Sequence, residues 1–321
     1  MTKTDLFKSL MDKPKAGHRM DTKPIKVGIL VSEHTMLSAV AGIEDILSIA
    51  NHIRSQTFFD IERVKVEQAT AFDSVDLLFV PPAKLGTKPN FHDDVMLKAL
   101  IEAGQQGTTI AANCASVFWL ANAGLLNQRS ATTHWKLCDK LEAEHPDILQ
   151  VKKHQMVVDE GAIITGSGLF AFQDVTLHLI ARFCGFELAH EVADMCLLDF
   201  SGRLQAHYER FVPDYSHGNE LVLKAQKYCE QTPLKEQSNQ AMANVCNVSE
   251  KTLTRSFKRS LSLTPQQYRL RYKMDLAKKE ISINHCTVEQ AAYLVGYNDV
   301  SNFSRVFKKV VGISPSEYRA R

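Results

Sequence analysis

Long apolar runs are missing from this chain. No segment of its 321 residues has the roughly twenty consecutive apolar residues that a bilayer span needs. The opening "MTKTDLFKSLMDKPKAGHRMDTKP" is polar and charged and lacks the apolar core of a secretory signal. These absences lead to the expectation of a cytoplasmic protein with no membrane partner. The seven cysteines, Cys114, Cys138, Cys184, Cys196, Cys229, Cys246 and Cys286, include no C-x-x-C pair. They therefore read as reduced thiols, not as a disulfide framework or a zinc site. Two further patterns are incomplete. "GSG" at Gly166–Gly168 lacks the third glycine of a dinucleotide fingerprint, and "HEVAD" at His190–Asp194 lacks the second histidine of a zinc-protease helix. No metal and no cofactor are expected.

What is present is ordinary globular composition: 45% hydrophobic and 23% charged residues, which argues against disorder. The length suggests two domains, each with its own core. Charge is unevenly spread. From Glu220 to the C-terminus there are 17 Lys/Arg against 9 Asp/Glu, which leaves 21 against 27 for the rest of the 38 and 36. One end is suited to a polyanion.

The two parts also differ in pattern. From Lys26 to about Gly185, β-rich runs alternate with helical ones. "IKVGILVS", "VDLLFVPPA" and "TTIAANC" read as strands, and "AVAGIEDILSIANHI" and "FHDDVMLKALIEAGQQG" as helices. This alternation implies a parallel sheet covered by helices on both faces. From Leu221 onward only short helices and turns remain. The expected organisation is a flexible tail over 1–25, an α/β domain over 26–205, a polar linker over 206–219 carrying Pro213 and Gly218, and an all-α domain over 220–321.

The last part contains an internal repeat. "RSFKRSLSLTPQQYR", Arg255–Arg269, aligns without a gap with "RVFKKVVGISPSEYR", Arg305–Arg319. In the first copy Ser238 can cap a helix, although Ala241 denies it a full capping box. Met242, Val245 and Val248 supply the apolar face of that helix, and Ser249 can cap a second one anchored by Leu253 and Phe257. In the second copy Thr287 and Gln290 fit a capping box, Ala292 and Val295 supply the face, Gly296 ends the helix, and Phe303 and Phe307 anchor the next. Each copy reads as a helix-turn-helix, over about 238–258 and 287–308.

Helical spacing then leaves Glu250, Lys251, Thr254, Arg255 and Lys258 outward on the first recognition helix, and Ser301, Asn302, Ser304, Arg305 and Lys308 on the second. Arginine can bond guanine bidentately, and hydroxyls and amides can read base edges. Lys258, Arg259, Lys308 and Lys309 suit phosphates. A single basic run is usually only a solvated helix face. Here repeat, caps and charge excess agree.

"GYNDVSNFSRVFKKVVGISPSEYR" resembles, nearly residue for residue, the signature of AraC/XylS-type transcriptional regulators, over about the last hundred residues. The resemblance implies two helix-turn-helix units joined by a long helix, here Pro265 to about Ile281, set in successive major-groove segments of promoter DNA. By motif match Lys251, Thr254 and Arg255 would read bases in the first unit, and Ser301, Ser304 and Arg305 in the second. Two positions depart from the pattern. Ser262 stands where the second copy has Gly312, and Lys273 where the family often has arginine, which puts a salt bridge there in doubt.

The first part, roughly Lys26 to Leu204, is similar to PfpI/ThiJ-type, class I glutamine-amidotransferase-like domains through "VDLLFVPPA", "NCASVFWLANAGLLNQRSATTHW" and "GAIITGSGLFAFQDVTLHLI". A flavodoxin-like fold is implied. Together the two parts match the GlxA-like branch of regulators. That branch implies a sensor and dimerisation module, a small-molecule effector, a homodimer and contact with RNA polymerase.

In enzymatic relatives the cysteine sits in a strained strand-to-helix turn that lowers its pKa. A working thiol also needs a base and an orienting carboxylate. Peptidase-like members carry histidine directly after the cysteine, where this chain has Ala115. Others place glutamate after the first strand, where Met36 or Leu37 falls, with Glu33 and His34 only nearby. His134, in "ATTHW", is the remaining partner, and Cys114 with His134 is the only catalytic pair on offer. No catalysis is expected. The other use of such a turn is binding, in a pocket lined by Cys114, Ala115, Ser116, His134, Thr165, Gly166, Ser167 and Gly168. The rival function is a cysteine-dependent hydrolase or amidase fused to a DNA-binding module.

Overall fold

The computed structural model describes residues 23–65, 75–200 and 203–320. Of the tail expected over 1–25, all but the last three residues lie outside this range. The described residues divide into two compact units, the first ending at Gln205 and the second beginning at Ala206. No helix among them is long and apolar enough to cross a membrane.

The first unit runs β1 (Ile25–Leu30), α1 (Leu37–Ile53), β2 (Phe59–Val64), β3 (Leu77–Val80), α2 (Asp94–Gln105), β4 (Thr109–Asn113), α3 (Val117–Asn122), β5 (Ser130–Ala131), α4 (Cys138–Glu144), β6 (Gln150–Val151), β7 (Val157–Asp159), β8 (Ile163–Gly166), α5 (Phe172–Cys184) and α6 (Phe186–Met195). The main sheet has the order β2-β1-β3-β4-β8-β7, parallel except for β7, and β5 pairs with β6 apart from it. Side chains alternate across the sheet. Leu78 and Val80 join α2, α3 and α4 in one core, while Leu77 and Phe79 join α1, α5 and α6 in the other. This is the expected flavodoxin-like sheet with helices on both faces. Because every described parallel strand points the same way, the turns after β1, β3, β4 and β8 gather at one end of the sheet.

The second unit is helical: α7 (Glu220–Gln231), α8 (Asn239–Val245), α9 (Glu250–Leu261), α10 (Pro265–Ser282), α11 (Val288–Leu294), α12 (Val300–Val311) and α13 (Pro315–Arg319). Local chemistry fixes its boundaries. Ser238, Ser249 and Thr287 accept the amide hydrogen bonds expected of them, and only Thr287 forms a full capping box, with Gln290. Thr264 with Gln267 and Ser314 with Glu317 add two more boxes ahead of Pro265 and Pro315. The repeat is repeated in burial as well: Leu253 and Phe257 are buried like Phe303 and Phe307, and Tyr268 like Tyr318. Both recognition helices end on a left-handed residue, Ser262 at φ 56° and Gly312 at φ 90°. The first copy therefore adopts the glycine-favouring geometry without the glycine.

One expectation needs correction. Val245 does not belong to the apolar face of α8. It is 39% exposed, because at the last turn Cys246 and Val248 take the place against α7 and α9 instead. The salt bridge that the sequence put in doubt at Lys273 is not found among the described residues. Lys273 Nζ donates to the carbonyl of Leu234 at 2.6 Å, while Arg269 one turn earlier donates to Gln237 O at 2.6 Å and to Asn239 Oδ1. The segment 206–219 packs on the second unit through hydrogen bonds and aromatic contacts along its length.

Candidate functional site

The strand "TIAAN" ends at Asn113, and the chain must turn at once into a single 3-10 turn, Cys114–Ser116, before α3. The turn is made by Cys114 itself, at φ 59°, in the left-handed region where a non-glycine residue is strained. Thr133 holds it by donating its hydroxyl to Cys114 O at 2.7 Å. The shape is thus that of a nucleophile turn.

The chemistry is not. Cys114 is only 6% exposed, and burial pushes its thiol from 9.0 up to about 11, against a weaker opposing pull from the Ala115 amide. The thiol keeps its proton at neutral pH. His134 is half-buried and makes no hydrogen bond to Cys114. Its Nδ1 accepts from Lys136 N at 3.2 Å, and its ring stacks on Trp135 with centroids 5.3 Å apart. Burial, then the charge of Lys136, lowers its pKa, so the imidazole stays neutral. From the loop after β1, Glu33 pairs with His34 at 3.4 Å and stays largely exposed, and Met36 N is tied to Pro82 O. That loop sends no carboxylate to the sulfur. No group of three metal-ligating side chains occurs among the described residues.

The eight pocket positions fall into two sets. Cys114, Ala115, His134, Gly166 and Gly168 meet where β4 and β8 end: Asn113 pairs in register with Gly166, and a Cβ on Gly168 would lie 3.6 Å from His134 Cδ2. Gly166 has no room for a side chain, since a Cβ there would sit 2.6 Å from Val175 Cγ2 and 2.8 Å from Asn113 Cβ. Ser116, Thr165 and Ser167 are buried and turned to protein partners. The Ser116 hydroxyl donates to Pro81 O at 2.7 Å, Thr165 Oγ1 accepts from Thr132 N at 2.9 Å, and Ser167 Oγ lies 3.1 Å from Met156 Sδ.

Two residues at this end escaped the sequence reading. Asn113 donates through Nδ2 to Gly168 O and Leu169 O, stapling the turn after β8 to that after β4, and its Oδ1 is buried without a partner. An amide ending an apolar strand was the available signal. Gln205 donates to Thr133 O and Lys153 O and accepts from Trp135 N, so it fixes the backbone on both sides of His134. Nothing local marks it, because its partners are 52 to 72 residues away in sequence.

In the second unit the outward faces match position by position. Lys251, Arg255, Lys258 and Arg259 on α9 are exposed, as are Ser301, Arg305, Lys308 and Lys309 on α12, with Thr254, Asn302 and Ser304 half-buried. Glu250, Lys251, Thr254, Arg255 and Lys258 line a shallow surface depression. Arg305 is held by Asn302, whose Oδ1 accepts from its guanidinium at 3.0 Å.

Comparison with known proteins agrees with both halves. Residues 51–182 match the DJ-1/PfpI family, and residues 242–321 match a helix-turn-helix domain. The chain is 22% identical over 311 residues to the HTH-type transcriptional regulator GbdR of Pseudomonas aeruginosa, covering 92% of this chain and 84% of that protein. It is 28% identical over 247 residues to the HTH-type transcriptional regulator CdhR of the same species (76% and 72%), and 26% identical over 220 residues to the HTH-type transcriptional regulator GlxA of Rhizobium meliloti (67% and 66%). An AraC family transcriptional regulator from Pseudomonas putida superposes with a TM-score of 0.48 at 17% identity, over 54% of this chain and all of that one. The chain thus carries an AraC-type helix-turn-helix domain behind a DJ-1/PfpI domain, resembles proteins named as HTH-type transcriptional regulators, and is a DNA-binding transcriptional regulator.

Proposed function

We propose that the first unit senses a small-molecule effector at the turn between β4 and α3, without chemical turnover, and that the chain acts on promoter DNA as a homodimer that meets RNA polymerase. One observation carries the sensor reading. Cys114 keeps the strained nucleophile turn, yet its thiol is buried, retains its proton and has no hydrogen-bonded base. A turn kept without its chemistry suits binding, where Cys114, Ala115, His134 and Gly168 would contact the effector. Ser116, Thr165, Gly166 and Ser167 would hold the wall behind them. An effector alters transcription by binding unequally to conformations that do and do not engage DNA.

On DNA, we assign Lys251, Thr254 and Arg255 of the first unit and Ser301, Ser304 and Arg305 of the second to base edges, with Asn302 orienting Arg305. Lys258, Arg259, Lys308 and Lys309 are assigned to phosphates. The matching exposure of the two helices supports this set.

The test is a thermal-shift screen of small metabolites on the full-length chain and on Cys114→Ala, with each hit recovered and analysed. Compounds that raise the midpoint of the wild type and come back intact support the sensor. A compound consumed by the wild type and spared by Cys114→Ala establishes the hydrolase reading instead.

A further inference from the structure

The two copies of the repeat carry equivalent tyrosines next to their last residues, and each tyrosine packs edge-on against the equivalent phenylalanine of its recognition helix. Tyr268 meets Phe257 of α9 with centroids 5.6 Å apart at 76°, and Tyr318 meets Phe307 of α12 at 5.7 Å and 71°. Each tyrosine has a second aromatic neighbour, and both come from one short segment. Phe211 lies on Tyr268 at 5.1 Å, and His207 lies on Tyr318 at 5.2 Å. Residues four apart on a single strand of chain therefore touch both helix-turn-helix units at the same place in the repeat.

The long helix α10 holds this segment at three points, Ala206, Glu209 and Phe211. Lys278 Nζ donates to Ala206 O at 3.1 Å and also to Glu209 O, and Asp275 Oδ1 accepts from Phe211 N at 2.9 Å. Lys278 is 6% exposed. In a unit rich in cations facing outward, this lysine is turned inward, with its charge spent on two backbone carbonyls and its Nζ 5.5 Å from the Tyr318 ring. Burying an ammonium group costs free energy that only well-placed acceptors offset, so the contact marks a place where position matters more than stability.

We propose that residues 206–211 are a two-pronged clamp that fixes the two recognition helices relative to each other, with Lys278 as its latch. DNA held by one helix then meets the other already in place, and the second contact forms without a new ordering cost. Lys278 is a positioning residue and touches no DNA.

The experiment uses the full-length chain and a duplex selected by it from a random pool, alongside the same duplex with one half-site scrambled. Lys278→Met keeps the stem and removes both hydrogen bonds. It should bind the intact duplex about tenfold more weakly, bind the half-scrambled duplex within about twofold of wild type, and keep the wild-type slope of log Kd against log salt. His207→Ala removes one prong and leaves the Lys278 hydrogen bonds to Ala206 O and Glu209 O in place. It should show the same pattern at about threefold, and it decides the matter if Lys278→Met does not fold by circular dichroism. Equal losses on both duplexes, or no loss on the intact one, would overturn the clamp. So would a salt slope smaller by about one for Lys278→Met, the mark of a lost phosphate contact.

Discussion

Alkylation of Cys114 separates a sensor from an enzyme. Iodoacetamide reacts with the thiolate, so the rate follows the fraction deprotonated. Raising the pKa from 9.0 to about 11 lowers that fraction at pH 7.5 about a hundredfold, and burial of the sulfur slows access further. The assay is timed labelling, quenching, digestion and mass spectrometry of the peptide that contains Cys114, with the urea-denatured chain as reference for the same cysteine. Native labelling should be at least about a hundredfold slower than denatured labelling and should climb about tenfold per pH unit until near pH 11. Linkage gives a second readout. The folded state holds this proton more tightly, so its contribution is fully present below pH 9 and is lost between pH 9 and 11, by about 2 to 3 kcal/mol. Cys114→Ala should remove that part of the alkaline loss. Labelling at pH 7.5 as fast as in urea, or levelling off below pH 9, would instead make the thiol an accessible nucleophile.

Three further outcomes are expected. Arg255→Ala and Arg305→Ala should each lose about 1 to 3 kcal/mol on the selected site, whereas Lys258→Ala should weaken all sequences alike and flatten the salt slope by about one; unchanged site selection by both arginine variants in gel shifts would remove them from the base-reading set. Ser262→Gly should stabilise the chain by about 0.5 to 1 kcal/mol in urea unfolding, since it relieves the left-handed residue that ends α9; a loss of stability would count against strain there. Asp159 is held down at about 2, against the opposing effect of burial, by hydrogen bonds from His178 and the Gly161 amide and by the charge of Arg182. A depressed carboxylate stabilises above its unfolded pKa, so about 2 kcal/mol should vanish as pH falls from 4 to 2; a gap between wild type and Asp159→Asn that stayed constant across that window would contradict the pairing.

Legibility in the sequence followed range. Caps at Ser249 and Thr287 involve partners three residues away, and the alternation of Leu77, Leu78, Phe79 and Val80 between two cores is a period of two. Both can be read from a line of text. The outward sets on α9 and α12 were legible for the same reason, because helical spacing fixes a face. Val245 was misplaced because a helix end lets neighbouring residues compete for one apolar site, and spacing does not rank them. The environment of Cys114 was not legible either. The left-handed turn leaves a sequence trace in "NCAS", but the depth of the sulfur depends on segments that meet it only in the fold. Gln205, Asn113 and Lys278 belong to the same class, each defined by partners dozens of residues away.

The clamp also changes what counts as the smallest separable piece of this regulator. The helix-turn-helix match begins at residue 242 and the basic, strand-free region at 220, and either would be a natural place to cut. A fragment starting at Glu220 would uncover one side of Tyr268 and of Tyr318 and leave the Lys278 ammonium without its two carbonyls. One starting at residue 242 would further lose Val222, Ala225 and Cys229 from the core around Phe257. Truncation and domain-swap experiments that join at either point would report a crippled binder and ascribe the defect to the missing first unit. A junction at Ala206 keeps the reading head whole.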